Sequence, residues 1–265
     1  MTWGPAVFGG GSFAGQGGLI DAVDTPSALE FMREALVKIS EEDIGTVVDL
    51  LARKRDVMMP LLTEDALASA NADAVRPILW RVFATRRRAD ELLVAAGAPV
   101  IARAINDLVH GAGRIETRFA AFDGALGAIE EPIRRDLGGE CLHFADPERY
   151  WLWSRWMWDP EPRTGALPLV MVEDFDFSGD DAGVAYLRVG AATAAVIATA
   201  RNLGFQRMGA SPFAVDVYLA AIYGIYLYTV TRLRMTQEFN KVIPHLPDLV
   251  RRLLGVWSLD VARRS

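Results

Sequence analysis

Residues 138–160 read GGECLHFADPERYWLWSRWMWDP and hold the only Cys of the chain, one of its three His and four of its seven Trp. Projected on a helix, Trp151 and Trp158 fall near one face with Phe144, whereas Trp153 and Trp156 fall on another. A helix that is aromatic on two sides is no ordinary surface helix. Either the segment is buried between layers of the same chain, or one aromatic face is left to bind something else.

Working outward toward the N-terminus, the pattern is helical throughout. Thr25-Pro26 opens a helix with a capping hydroxyl and Pro at the first helical position, and Leu29, Met32, Leu36 and Ile39 follow at helical spacing. Ser40-Glu41-Glu42-Asp43 resembles a capping box and starts a second helix through Ile44, Val47, Val48 and Leu51, which Pro60 ends. Thr63 and Asp73 offer further caps. The latter leads into one long helix through Ile78, Leu79, Val82 and Phe83 to Ala96, closed by Gly97. Two more helices are expected from Pro99 to Gly111 and over residues 114–128, each with an apolar stripe.

Toward the C-terminus, residues 164–172 (TGALPLVMV) are the one candidate strand, and Pro168 restricts it to an edge or an extended crossing near 166–172. The acidic loop 173–181 resembles the start of a calcium loop, but position twelve is Ala185 in place of the bidentate Glu, so no calcium site is expected. Residues 184–203 form a helix of small residues whose natural partner is the aromatic helix after Pro212. Leu249, Val250, Leu253, Leu254 and Trp257 mark a last helix, with Arg251, Arg252, Arg263 and Arg264 outside it.

These readings give an all-α fold, an antiparallel multi-helix bundle or array with short connections. A Gly-rich N-terminal arm spans residues 1–24, and one helical domain spans 25–265, with a candidate subdivision at 130–136 where Pro132 interrupts the pattern. At 265 residues and 51% hydrophobic content the chain supplies a full core. A formal net charge of −6 argues against a surface devoted to nucleic acid and restricts polyanion binding to a local face. One Cys forms no intramolecular disulfide and the first residues lack a signal-peptide pattern, so a cytoplasmic location is expected. The longest apolar run, residues 214–230, is short for a bilayer and carries Asp216, so no membrane span is expected.

Three constellations are candidate sites. The first is the aromatic segment as a partner-binding surface, with Arg149, Tyr150, Trp151, Trp153, Arg155, Trp156 and Trp158; Arg149 precedes Trp153 by four residues and can stack on its indole. The second is the basic run Arg76, Arg81, Arg86, Arg87 and Arg88 as a nucleic-acid contact, partly neutralised by an Arg87–Glu91 pair at i,i+4. The third is the pair of carboxylate-x-x-His motifs, Asp107 with His110 and Glu140 with His143, whose spacing points two ligands to one side of a helix. No nucleophile elbow or phosphate-binding loop is present, and Cys141 lies in an apolar setting without a neighbour that would lower its pKa.

Leu142-His143-Phe144, Pro147 and Tyr150, followed by Val215-Asp216 and Leu219, form a pattern that resembles helical modules of prokaryotic restriction and DNA-defence proteins, over roughly residues 114–223. The resemblance implies a recognition or scaffold module without a nuclease or ATPase of its own. The expectation is a non-catalytic helical binding or scaffold protein that takes no cofactor and meets a protein partner or a second copy of itself. A DNA-associated module and a metal-dependent enzyme are the alternatives.

Overall fold

The structure is a computed structural model, and it describes residues 21–205, 207, 210–234 and 244–257. Most of the Gly-rich arm, and Arg263 and Arg264, lie outside the described residues. Among the described residues there are eleven α-helices and no strand. They are α1 (Thr25–Lys38), α2 (Glu41–Met58), α3 (Glu64–Ala68), α4 (Ala72–Arg81), α5 (Ala89–Ala96), α6 (Ala98–His110), α7 (Ile115–Ala125), α8 (Glu131–Ala145), α9 (Ala182–Asn202), α10 (Ala214–Arg234) and α11 (Leu246–Leu253). This is the expected all-α array.

The helix starts follow capping chemistry. Ser40 and Asp43 make the full capping box of α2. Thr63 caps α3 as expected, whereas two caps fall one or two residues earlier: Asp24 rather than Thr25 accepts from Ser27 N, at 3.3 Å, and Asn71 rather than Asp73 accepts from Ala74 N, at 2.9 Å.

The single long helix expected over residues 73–96 is two helices. The Thr85 hydroxyl donates to the Leu79 carbonyl at 2.6 Å, taking up an oxygen at the end of α4, and Val82 turns extended. Phe83, expected to face the core, is therefore thrown outward. After α5 the chain turns by 93° at Gly97, whose φ of 79° suits a residue without Cβ.

Helix α8 sits at the centre, against α2, α6 and α7. Pro132 lies in its first turn, a position that lacks a helical acceptor in any case, so it begins the helix. The buried apolar residues form one cluster from Val23 to Val256. The expected pairing of the small-residue helix with the aromatic one is corrected. Helix α9 packs chiefly on α7, and α10 packs on α1, α2 and α11. Two glycines explain the choice: a Cβ on Gly183 would fall 1.8 Å from the Glu116 carbonyl oxygen, and one on Gly190 would fall 1.7 Å from the Trp151 indole. The small face of α9 is thus a seat for the α7 backbone and for Trp151.

The candidate strand is also corrected. Leu167–Leu169 is a 3₁₀ turn, and of residues 164–172 only Thr164 and Met171 pair, each in an isolated antiparallel bridge, with Asp159 and with Val23 at the end of the arm. Among the described residues α9 alone is long and apolar enough, by length and composition, to cross a bilayer as a single helix, and 72% of its apolar window is buried inside the fold.

Candidate functional site

Residues 138–160 are a helix only to Ala145. Asp146 precedes Pro147, which disfavours helical backbone, and Asp146 is extended at ψ 84°. The rest of the segment is an irregular loop wound through the core. Such a loop must satisfy its own polar groups. Met157 N and Trp158 N donate to Ser154 O, and Ala166 N and Leu167 N donate to Trp156 O and Met157 O.

The expected recognition surface on this loop is overturned. Tyr150, Trp151, Trp153, Trp156 and Trp158 are all buried, Trp153 with only 1% of its surface exposed. Phe119 stacks on Tyr186 at 4.7 Å, and Trp151 on Tyr186 at 5.7 Å. Trp151 Nε1 donates to the Tyr186 carbonyl while the Tyr186 hydroxyl donates to the Trp151 carbonyl, each at 3.1 Å. Phe119 of α7 and Tyr186 of α9 cover Trp151 and Trp153, and Phe177 in the loop before α9 stacks on Trp158 at 4.5 Å. Only Arg149 and Arg155 reach the surface, and Arg149 lies over Tyr150, not Trp153.

What the segment does carry is a stripe of buried charge. Asp136, Glu140 and His143 stand at i, i+4 and i+7, one face of α8, and each binds a different part of the fold. Asp136 accepts from Arg155 N at 2.8 Å and from Arg155 Nε at 2.9 Å. Lys54 of α2 donates to Glu140 at 2.5 Å and to the Leu254 carbonyl at 3.2 Å, and its ammonium lies 4.6 Å from the Phe144 ring centre. The other Glu140 oxygen accepts from Phe83 N at 3.3 Å. His143 places Nε2 2.9 Å from Asp216 of α10 and Nδ1 2.8 Å from the Tyr150 carbonyl.

The titration of these groups follows from their surroundings. Burial pushes Asp136 up to about 7, against the pull of Arg155 and with a push from Glu140 one turn away. Burial opposes charge on His143, but the Asp216 carboxylate and the Tyr150 carbonyl outweigh it and raise the imidazole above its ordinary value. Burial, with Glu140 adjacent, pushes the Cys141 thiol far up, so the one cysteine is held as the inert thiol.

The proposed metal set does not assemble. Glu140 and His143 are occupied by Lys54 and Asp216, Asp107 is exposed on α6, and His110 Nε2 sits 2.6 Å from the Leu62 carbonyl. Among the described residues no three His, Cys, Asp or Glu side chains converge as metal ligands.

The basic run is divided. Arg76 pairs with Asp73 and Asp90, and Arg88, not Arg87, pairs with Glu91 and also reaches Glu130. Arg81 donates to the Pro77 carbonyl, Arg86 lies 4.8 Å over the Phe83 ring, and Arg87 is exposed. Beside these three stand the largest exposed rings of the described surface, Trp80 at 54% and Phe83 at 41%. With Val57 and Lys54 they rim a shallow pocket of about 80 Å³. No sequence pattern points to this face, because Trp80 stands alone and Phe83 shares the helical spacing of Ile78, Leu79 and Val82. The local sequence gives no signal for the break, since α4 runs through Pro77 and the arginines after Thr85 favour helix.

A larger cleft, of about 430 Å³, opens between the start of α8 and the loop 153–161, with Pro132, Arg135, Asp136, Trp153, Arg155 and Trp158 among its walls. Compared with known proteins, the chain matches no family model, no curated protein and no solved structure.

Proposed function

We infer that the chain is a non-catalytic binding protein that docks an acidic protein partner on the Trp80–Phe83 face. The observation that carries this reading is the exposure of Trp80 and Phe83 beside Arg81, Arg86 and Arg87, none of which has a carboxylate partner among the described residues. Trp and Arg dominate the energetics of protein interfaces, and rings left in water at this cost are commonly covered in a complex. The local charge is positive on a chain whose formal net charge is −6, so the complementary surface is acidic. The buried Lys54–Glu140 pair under this face supports a binding role too, since Glu140 fixes the Phe83 backbone and so presents the ring without the chain having to reorganise.

The test is affinity capture from a lysate of the source cells with three baits: the native chain, Trp80→Ser/Phe83→Ser, and Val94→Ser, a control at an 87% exposed site. The reading predicts a protein held by the native chain and the control, lost by the double variant, and bound again when purified. Identical capture by all three baits refutes it.

A second reading is favoured by one feature, the alternation of rings and guanidiniums from Trp80 to Arg87, a composition that stacks single-stranded bases. Binding of an oligonucleotide that weakens steeply between about 50 and 200 mM salt, and disappears with Arg86→Ala/Arg87→Ala, would support it over the protein partner.

A further inference from the structure

We propose that the cleft between α8 and the loop 153–161 is a binding site for a zwitterionic small molecule of the amino-acid class with an apolar side chain. Its volume of about 430 Å³ lies within the range of small-ligand sites and exceeds that of a shallow surface dimple. The charges of its lining sort into two sets. Arg135 is held by Glu131, and Asp136 takes the backbone N–H and Nε of Arg155, which leaves the outer edge of that guanidinium open.

What remains unpaired is one kind of donor and one kind of acceptor. Arg155 spends its backbone N–H and Nε on Asp136, which leaves both Nη groups without a hydrogen-bond acceptor among the described residues. Trp158 lines the same cleft, and its buried Nε1 also lacks an acceptor there. On the other side Asp159 and Glu161 line the cleft with no cation paired to either among the described residues, Asp159 accepting only the Glu161 backbone N–H at 3.3 Å.

A ligand that answers both sets carries an oxygen anion for the Arg155 guanidinium and an ammonium for the two carboxylates. A plain anion would face a lining of four carboxylates and two guanidiniums, and a plain cation would leave the Arg155 donors unfilled. Pro132, Pro160 and the exposed edge of Trp158 receive an apolar body between these poles. Asp136 itself is a positioning residue. It holds the Arg155 guanidinium by two bonds and so fixes where its free edge can point.

The experiment uses the full chain. Thermal unfolding is followed with each standard L-amino acid at about 10 mM, and the strongest stabiliser is measured by calorimetry beside its decarboxylated amine and its deaminated acid. The proposal predicts that one or more amino acids with an apolar or aromatic side chain bind. Each half-ligand should be at least about tenfold weaker. Glu161→Gln, an exposed change that leaves the fold intact, and Arg155→Lys should each weaken the whole amino acid at least about tenfold. Glu161→Gln should leave the deaminated acid unaffected. No binding by any amino acid, half-ligands that bind as tightly as the whole, or binding unchanged in both variants would overturn it.

Discussion

Replacing Lys54 with Met keeps the length of the side chain and removes its charge, at a site where both partners of an ion pair are almost fully buried. In the native chain Glu140 has two supports, the Lys54 ammonium at 2.5 Å and the Phe83 N–H at 3.3 Å. Only the second and weaker one survives in Lys54→Met, so a carboxylate is stranded in the core, at a cost of about 3–5 kcal/mol. The converse change, Glu140→Gln, leaves Lys54 the Leu254 carbonyl and the face of Phe144, and should cost about 2 kcal/mol. The double variant Lys54→Met/Glu140→Gln removes both charges and keeps a neutral acceptor for Phe83, so it should be more stable than Lys54→Met alone by about 1 kcal/mol or more. Urea unfolding followed by far-ultraviolet circular dichroism reads all four proteins. A double variant no more stable than Lys54→Met, with the two costs simply adding, would refute the reasoning that this pair is a coupled, desolvated unit.

Gly190→Ala should cost about 3 kcal/mol or more in the same assay, because its Cβ would overlap the Trp151 ring; a loss of less than about 1 kcal/mol would mean that the indole is not seated there. Stability should fall from about pH 5 to pH 8. Asp136 is destabilised as the carboxylate, so its contribution declines as pH rises from the ordinary value of 3.8 through about 7, by an upper bound of about 4 kcal/mol. His143, raised from 6.5, contributes fully below that value and loses its contribution as pH rises through the folded one, which has the same sign. Asp136→Asn should flatten the lower part of this profile, and a stability that rises over the window contradicts both assignments. Cys141 should resist a thiol reagent at pH 8 in the native protein and react at once in denaturant, whereas rapid native labelling would place the thiol outside the core.

The fold class was readable from periodicity and capping alone, because the caps at Ser40 and Thr63, the terminator Gly97 and the apolar stripes are local signals. The break after Arg81 was harder to read, since it depends on the Thr85 hydroxyl reaching back to Leu79 and on Glu140, 57 residues away, holding the Phe83 N–H. The aromatic segment was read correctly as having two faces to cover, and wrongly as a helix. Pro147 stops α8, and the covering surfaces come from Phe119 and Tyr186, neither of which a local pattern links to Trp153. Glu140 and His143 were singled out by their spacing. Their true partners, Lys54 and Asp216, lie 86 and 73 residues away, on helices that read as plain core, so the same spacing serves buried ion pairs.

Recognition at Trp80 and Phe83, with the clustered Trp residues buried, is tested most directly by hydroxyl-radical footprinting with mass spectrometry. In the free protein Trp80 and Phe83 should label rapidly while Trp151, Trp153, Trp156 and Trp158 stay protected, and adding the captured partner should protect Trp80. Labelling of residues 150–158 as fast as Trp80, or a partner that protects those residues and leaves Trp80 open, would contradict it.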